Sequence, residues 1–401
     1  MKPIQQFFEK YITKEPLFVN KAVLQSTYEP TVLLHREKEI MALANIIAPA
    51  LKLEKPSNVF IYGKTGTGKT LTTTHVTKQL LQVAKNKDIP LKILYVNCKL
   101  KNVADTEYRL IAHLAREFGK AIPPTGLPTE EIYKIFFSAI DNQKQVIILV
   151  LDEIDYLVKK IGDGILYNFT RINSELSTAT LTLVGISNDL LFIEHVDPRI
   201  KSSLSEEELV FAPYNAFQLQ DILRERAKKA FKEGVLETGV IEKCAAYAAR
   251  DHGDARRALD LLRVAGEIAE RQDSRTITIA HLDSAEEKIE KDKAIDIIES
   301  QPRQYLAVLY TILHLLATRK EKLFTGDVYD YYKDTLCHKL HLRPLTQRRV
   351  SDVVAELDML GLINAKVVSK GRYGRTKEIT HAMTPQTALR AKKLITEKLN
   401  L

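Results

Sequence analysis

Five short apolar runs, separated by segments of helical length and pattern, predict an α/β domain with a parallel sheet covered by helices on both faces. Two further observations extend the prediction along the 401-residue chain. From residue 213 to about 299 no strand-like run recurs, which reads as an all-helical segment. After Ser300-Gln301-Pro302 the pattern changes again, and a basic stretch rich in apolar periodicity follows. Three parts are therefore expected, over 1–212, 213–299 and 300–401.

The first run, 58–62, leads directly into Gly63-Lys64-Thr65-Gly66-Thr67-Gly68-Lys69-Thr70. This string satisfies G-x-x-x-x-G-K-[ST] at every position and opens a helix that starts at Leu71. A glycine-rich surface turn would need neither the strand before nor the helix after. The glycines let backbone N–H groups close around phosphate oxygens at the positive end of the helix dipole. Lys69 is expected to reach the β- and γ-phosphates, and Thr70 to ligate Mg2+.

The second run is 91–96, and the third, 146–151, ends in Asp152-Glu153-Ile154-Asp155. A carboxylate at the C-terminal end of a buried strand lies at the rim where ligands bind in such sheets. Asp152 can hold Mg2+, and Glu153 can polarise a water for attack on the γ-phosphate. Adjacent acids after a strand are often only a solvated turn; the phosphate loop upstream selects the functional reading. The fourth run, 181–187, closes on Ser187-Asn188-Asp189, where an asparagine can meet the γ-phosphate, although this string also makes ordinary turns. Asp197-Pro198-Arg199 reads as a helix start. The fifth run is 208–211. In the helical segment, Gly253-Asp254-Ala255-Arg256 opens a helix whose arginine suits a surface ion pair as well as a phosphate.

In the last part, helices are expected over 305–316 and 327–336, and a third carries Val350, Val353, Val354, Leu357 and Leu360 on one face until Gly361 stops it. Its first turn presents Thr346, Gln347, Arg348 and Arg349 outward, the end of a recognition helix that meets bases and phosphates in a helix-turn-helix module. Strand-like 362–368 and 377–380 then flank a glycine-tipped hairpin. Lys366, Lys370, Arg372, Arg375 and Lys377 fall in a stretch without an acid, and Tyr373 lies among them. That is a winged helix with a cationic wing suited to the phosphate backbone, and Arg372 or Arg375 could enter a minor groove. A charged hairpin can also be a solvated one that docks protein.

Charge supports the nucleic-acid reading. Of a net +8, residues 301–401 hold 18 basic and 9 acidic side chains, so the body of the chain is close to neutral. A basic domain beside a neutral body reads as a polyanion-binding module. The 45% hydrophobic and 27% charged composition excludes a collagen-like or largely disordered chain. The longest aliphatic run, 146–151, is too short to span a bilayer, and the N-terminus has no secretory apolar core. Cys98, Cys244 and Cys337 form no C-x-x-C pair, so neither a disulfide framework nor a zinc site is expected. A soluble intracellular protein is predicted.

In order and spacing, these strings resemble the AAA+ ATPases. Within them they resemble the archaeal origin-recognition replication initiators, relatives of the eukaryotic origin-recognition and licensing ATPases. The resemblance runs through His35-Arg36-Glu37, 62–70, 150–155, 185–188, 197–204, 253–259 and the C-terminal domain. It implies an α/β P-loop NTPase fold of the AAA+ type with a five-stranded parallel sheet, an all-helical lid and a C-terminal winged-helix domain. The base would include an N-terminal adenine-side segment with Tyr28, Pro30, His35 and Arg36. The ligands implied are ATP or ADP with Mg2+. Asn188 would be sensor one, Arg256 the sensor-two arginine, and Arg199 an arginine finger acting on a neighbouring subunit's ATP. Lys99 and Lys101 would lie in an initiator-specific insertion, 97–106, that contacts DNA. The implied function is an ATP-dependent initiator that recognises double-stranded origin DNA and helps recruit or load the replicative helicase. It would work with other initiator subunits, at the nucleoid of a prokaryotic cytoplasm and away from membranes. An AAA+ winged-helix transcription regulator remains the alternative.

Overall fold

A computed structural model describes residues 15–100, 104–123, 126–194, 196–204, 206–318, 321–369 and 375–401. The chain divides into two compact units, Met1–Leu282 and Asp283–Leu401.

The first unit is built on five parallel strands, β1 (Val59–Tyr62), β2 (Leu91–Asn97), β3 (Val146–Asp152), β4 (Thr180–Ser187) and β5 (Glu207–Val210), in the order β2-β3-β4-β1-β5. Central β3 is buried at every position because both of its faces are covered. Its period of two splits the core: Ile147, Leu149 and Leu151 join one apolar cluster, and Val146, Ile148 and Val150 the other. Helices α1 (Glu37–Ile47) and α2 (Lys69–Asn86) cover the second cluster with Leu43, Ile47, Val76 and Leu80. The first is covered by α3 (Glu107–Glu117), α4 (Thr129–Ile140), α5 (Ile154–Ile161), α6 (Gly164–Arg171) and α7 (Pro198–Leu204).

Register aligns Asn97 with Asp152, and Tyr62 with Ser187, so the C-terminal ends of these strands share one rim. The fifth strand spans Glu207–Val210, one residue earlier at each end than the expected run; the Phe211 N–H still donates to the Tyr62 carbonyl at 2.8 Å, and its side chain is buried in the second cluster.

Three helices follow in this unit, α8 (Ala216–Ala230), α9 (Val240–Arg250) and α10 (Ala255–Arg271); α11 (Ile279–Glu299) begins here and lies mostly in the second unit. Asn215 and Gln218 form a reciprocal capping box at α8, and Asp254 caps α10 by accepting from the N–H groups of Arg256 and Arg257.

The second unit contains α12 (Arg303–Thr318), β6 (Leu323–Phe324), α13 (Thr325–Tyr331), a π-helical turn (Tyr332–Leu336), α14 (Cys337–Leu340), α15 (Gln347–Met359), β7 (Ile363–Ser369), β8 (Arg375–His381) and α16 (Pro385–Leu399). The antiparallel sheet runs β6-β8-β7, completing a winged helix. Three elements exceed the three helices and hairpin expected: β6, the short α14 past residue 336, and α16, which buries Ala391, Ile395 and Leu399. Among the described residues no helix is long and apolar enough to cross a membrane.

Candidate nucleotide site and nucleic-acid surface

The phosphate loop joins β1 to α2 with Gly66 at φ 69° and Gly68 at φ 90°, left-handed conformations that favour glycine. Lys69, the first residue of α2, is only 4% exposed, and its Nζ donates to the carbonyls of Gly63 and Lys64, 2.7 Å each. Burial pulls its ammonium down to about 8, against the attraction of Asp152 and with the repulsion of Arg256.

At the end of β3, the Asp152 Oδ2 accepts from the Thr70 hydroxyl at 2.9 Å and from the Tyr95 hydroxyl, and Oδ1 accepts from the Glu153 N–H at 3.0 Å. A hydroxyl and a carboxylate oxygen this close are hard ligands that fit Mg2+. Glu153 adopts φ 59°, and the Lys99 ammonium lies 3.5 Å from its carboxylate. Asp155 accepts from the Ser187 hydroxyl at 3.1 Å and from the Asn188 N–H at 3.4 Å, which ties the acidic end of β3 to Asn188.

A cavity of about 280 Å³ opens beside the loop, lined among others by Tyr28, Pro30, Leu34, Gly66, Thr70 and Arg256. The Ala255 N–H donates to the Gly66 carbonyl at 3.2 Å, so the start of α10 touches the phosphate loop and carries Arg256 to the cavity. Lys64, Thr65, Thr67 and Leu71 belong to the same loop and helix start.

Two of the adenine-side residues lie off this cavity. His35 is not among the residues lining this cavity; its Nε2 lies 3.0 Å from Asp221 on α8. Arg36, also outside the lining, is 4% exposed and donates to the Thr67 carbonyl (2.9 Å), the Tyr214 hydroxyl (3.0 Å), the Ala212 carbonyl (2.6 Å) and Glu39 (2.8 Å). Its guanidinium covers the Tyr214 ring at 4.0 Å. Four acceptors beneath the loop hold this long side chain there, so it braces the loop from below. On the cavity side, Arg226 is a residue that no sequence motif marks; its guanidinium stacks 4.5 Å from the Tyr28 ring.

Arg199 lies elsewhere, in a groove with Glu107, Asp163, Tyr167 and Asn168 that shares no lining residue with the nucleotide-side cavity. Its guanidinium donates to both carboxylate oxygens of Asp197, at 3.1 and 3.0 Å.

In the second unit, Thr346 caps α15 by accepting from the Arg349 N–H, and Gln347 and Arg348 are exposed on its first turn. Arg349 is tethered along the helix, 3.2 Å from Glu356 and donating to the Tyr305 hydroxyl at 2.7 Å. Lys366 is exposed on β7, and Lys377 folds its ammonium toward the Ser351 carbonyl at 3.5 Å. Arg375 opens β8; Lys101, Lys370, Arg372 and Tyr373 lie outside the described residues.

Comparison with known proteins gives three family matches: an AAA domain over residues 53–191, the Cdc6 AAA+ ATPase-type lid domain over 220–287, and the Cdc6 C-terminal winged helix domain over 296–391. The chain is 53% identical over 386 residues to an ORC1-type DNA replication protein of Thermococcus onnurineus, covering 95% of this chain and 92% of the relative. It is 52% identical over 375 residues to ORC1-type DNA replication protein 1 of Methanosarcina mazei, covering 93% and 89%. Among solved structures, the Aeropyrum pernix ORC1 protein in complex with DNA is similar with a TM-score of 0.81 and 44% identity, over 96% of this chain and 98% of that one.

Proposed function

Because the chain belongs to the family of ORC1-type DNA replication proteins, we propose that it is a replication initiator whose grip on duplex origin DNA is set by ATP binding and slow hydrolysis. The observation that carries the switch is the shared cavity: Arg256 on α10 and the phosphate loop border one space and touch through Ala255 and Gly66. A nucleotide held there contacts base and lid together, and its hydrolysis changes what the lid arginine can reach.

In this reading residues 1–212 form the base, 213–299 the lid and 300–401 the DNA-binding domain. Lys69 binds the β- and γ-phosphates, Glu153 orients the attacking water, and Asn188 contacts the γ-phosphate and that water. Tyr28 and Pro30 flank the adenine, and Arg226, stacked on Tyr28, closes that side. Thr70 and Asp152 hold Mg2+, which when bound neutralises charge on the β- and γ-phosphate oxygens. Gln347, Arg348 and Lys366 face the duplex, with Lys99 as a cation of the first unit. The partners are other initiator subunits and the replicative helicase, on the chromosome in the cytoplasm.

Duplex titration with ATP or ADP across a salt series tests this reading. Arg348→Ala with Lys366→Ala is expected to flatten the plot of log affinity against log salt by about 0.9 for each phosphate that is no longer neutralised. A purified protein with ATP bound that ignores every duplex at low ionic strength overturns the proposal.

Arg199→Ala is expected to leave the turnover of isolated monomers within about twofold, since Arg199 lies outside their nucleotide cavity. In assemblies with a neighbouring AAA+ subunit the drop should be large, on the order of 10³ for a finger on the γ-phosphate. A comparable drop in a proven monomer contradicts the role.

Lys69 also gives ATP affinity a pH dependence. Its ammonium titrates at about 8 in the free protein, and a bound triphosphate stabilises the charged form. Below that pH Lys69 is already protonated and contributes little slope. Above it, binding must take up a proton, and affinity falls by up to about tenfold per pH unit. Calorimetry in buffers of different ionisation enthalpy should register this uptake at pH 9 and much less at pH 7.

A further inference from the structure

Both oxygens of Asp152 are engaged, and one of the engaging groups belongs to no part of the phosphate-loop or strand-end motifs. Tyr95 pairs with Val150 across the β2–β3 ladder, while Asp152 pairs with Asn97. The Tyr95 side chain therefore reaches diagonally along the rim, a span suited to a long aromatic side chain. Its hydroxyl donates to Asp152 Oδ2, the same oxygen that accepts from Thr70. The residue is 38% exposed, but its hydroxyl reaches inward to Thr70 and Thr74.

The two hydroxyls on that oxygen are not equivalent. Thr70 can offer an oxygen lone pair to a cation while its O–H still donates to Asp152. Tyr95, on a strand and anchored by its ring, has no such second task and holds the carboxylate from the other side. We propose that Tyr95 is a positioning residue of the metal site, holding Asp152 at the angle at which it and Thr70 take Mg2+ together with the triphosphate. Outer hydrogen bonds of this kind orient metal-binding carboxylates and govern metal affinity. The inference rests on the nucleotide site proposed above and adds a residue to it.

Tyr95→Phe removes only the hydroxyl and leaves the ring. A fluorescent ADP analogue titrated into wild type and variant, first in EDTA and then over rising Mg2+, reads metal coupling apart from nucleotide binding. The variant is expected to match wild type within about twofold in EDTA and to need roughly tenfold more Mg2+ for half of the metal-dependent gain in affinity, the low end for removal of an outer hydrogen-bond partner. Equal Mg2+ midpoints overturn the proposal. So does an equal fall in affinity with and without Mg2+, which marks Tyr95 as a strand-to-strand tether and no more. Thr70→Ala run in parallel should lose the Mg2+ response altogether. If wild type binds the analogue but shows no Mg2+ response, the metal assignment to Thr70 and Asp152 fails as well; if it does not bind at all, the nucleotide site itself is wrong.

Discussion

Lys69→Ala is expected to lower ATP affinity by two orders of magnitude or more and to remove measurable turnover. The ammonium is the first side chain of α2, and in the free protein it spends its hydrogen bonds on the carbonyls of Gly63 and Lys64. A triphosphate in the loop offers it charged oxygens in place of neutral ones. Hydrogen bonds to charged groups are worth about 1.5–3 kcal/mol each, so two of them give about 3–6 kcal/mol, and 1.4 kcal/mol is tenfold in affinity. Folding should survive the change. The substitution removes two internal hydrogen bonds, but it also removes a buried charge whose desolvation holds its pKa near 8. A cooperative melt near that of wild type, together with no nucleotide binding, separates a missing ligand interaction from a failure to fold. Such a variant should also bind duplex DNA equally in ATP and ADP, because no nucleotide then bridges the loop and Arg256. Near-normal ATP affinity in Lys69→Ala removes the assignment of the phosphate site.

How much of this site is legible in the sequence depends on whether the chemistry is local to the chain. Lys69 and Thr70 are readable because one loop must supply the glycines, the lysine and the hydroxyl in succession, between a strand and a helix. Asp152 is readable because a fully apolar run ends on it. Tyr95 and Asp155 are not readable in the same way, since each acts on a residue of another strand or strand end and only the ladder register brings them there. Arg36 shows the same limit from the other side. Its position in the chain suggests the adenine side, but its length and four acceptors carry it under the loop.

In the winged helix, β6 has two residues, too few for any period to register. The final helix does carry a signal. Thr384 followed by Pro385 marks a helix start, and Ala388, Ala391, Ile395 and Leu399 recur at helical spacing. The π-helical turn has no such signal. It begins at Tyr332, buried in the core with its hydroxyl donating to Gln304 at 2.5 Å and accepting from the Leu345 N–H at 3.2 Å.

Glu153→Gln should keep ATP bound and slow its cleavage by a factor on the order of 10²–10³, the range for losing a positioned general base. The carboxylate stands next to Asp152 and beyond the end of the buried strand, on a residue with φ 59° and ψ 46°. A side chain held in that left-handed conformation costs about 1–2 kcal/mol, a cost that recurs at functional sites. Glycine adopts the same conformation freely, so Glu153→Gly is expected to be at least as stable as wild type by thermal melting while cleaving ATP no faster than the glutamine variant. That opposition is the sharpest test of the residue. A purely structural acid, held for its ion pair with Lys99 at 3.5 Å, would lose stability in both variants and activity in neither. An exposed pair of that length contributes under about 1 kcal/mol, too little to retain a strained backbone by itself. Under the proposed function, that conformation serves the carboxylate's action on water at the γ-phosphate. Rapid single-turnover hydrolysis by either variant, with ATP affinity intact, would transfer that role to another group at the rim.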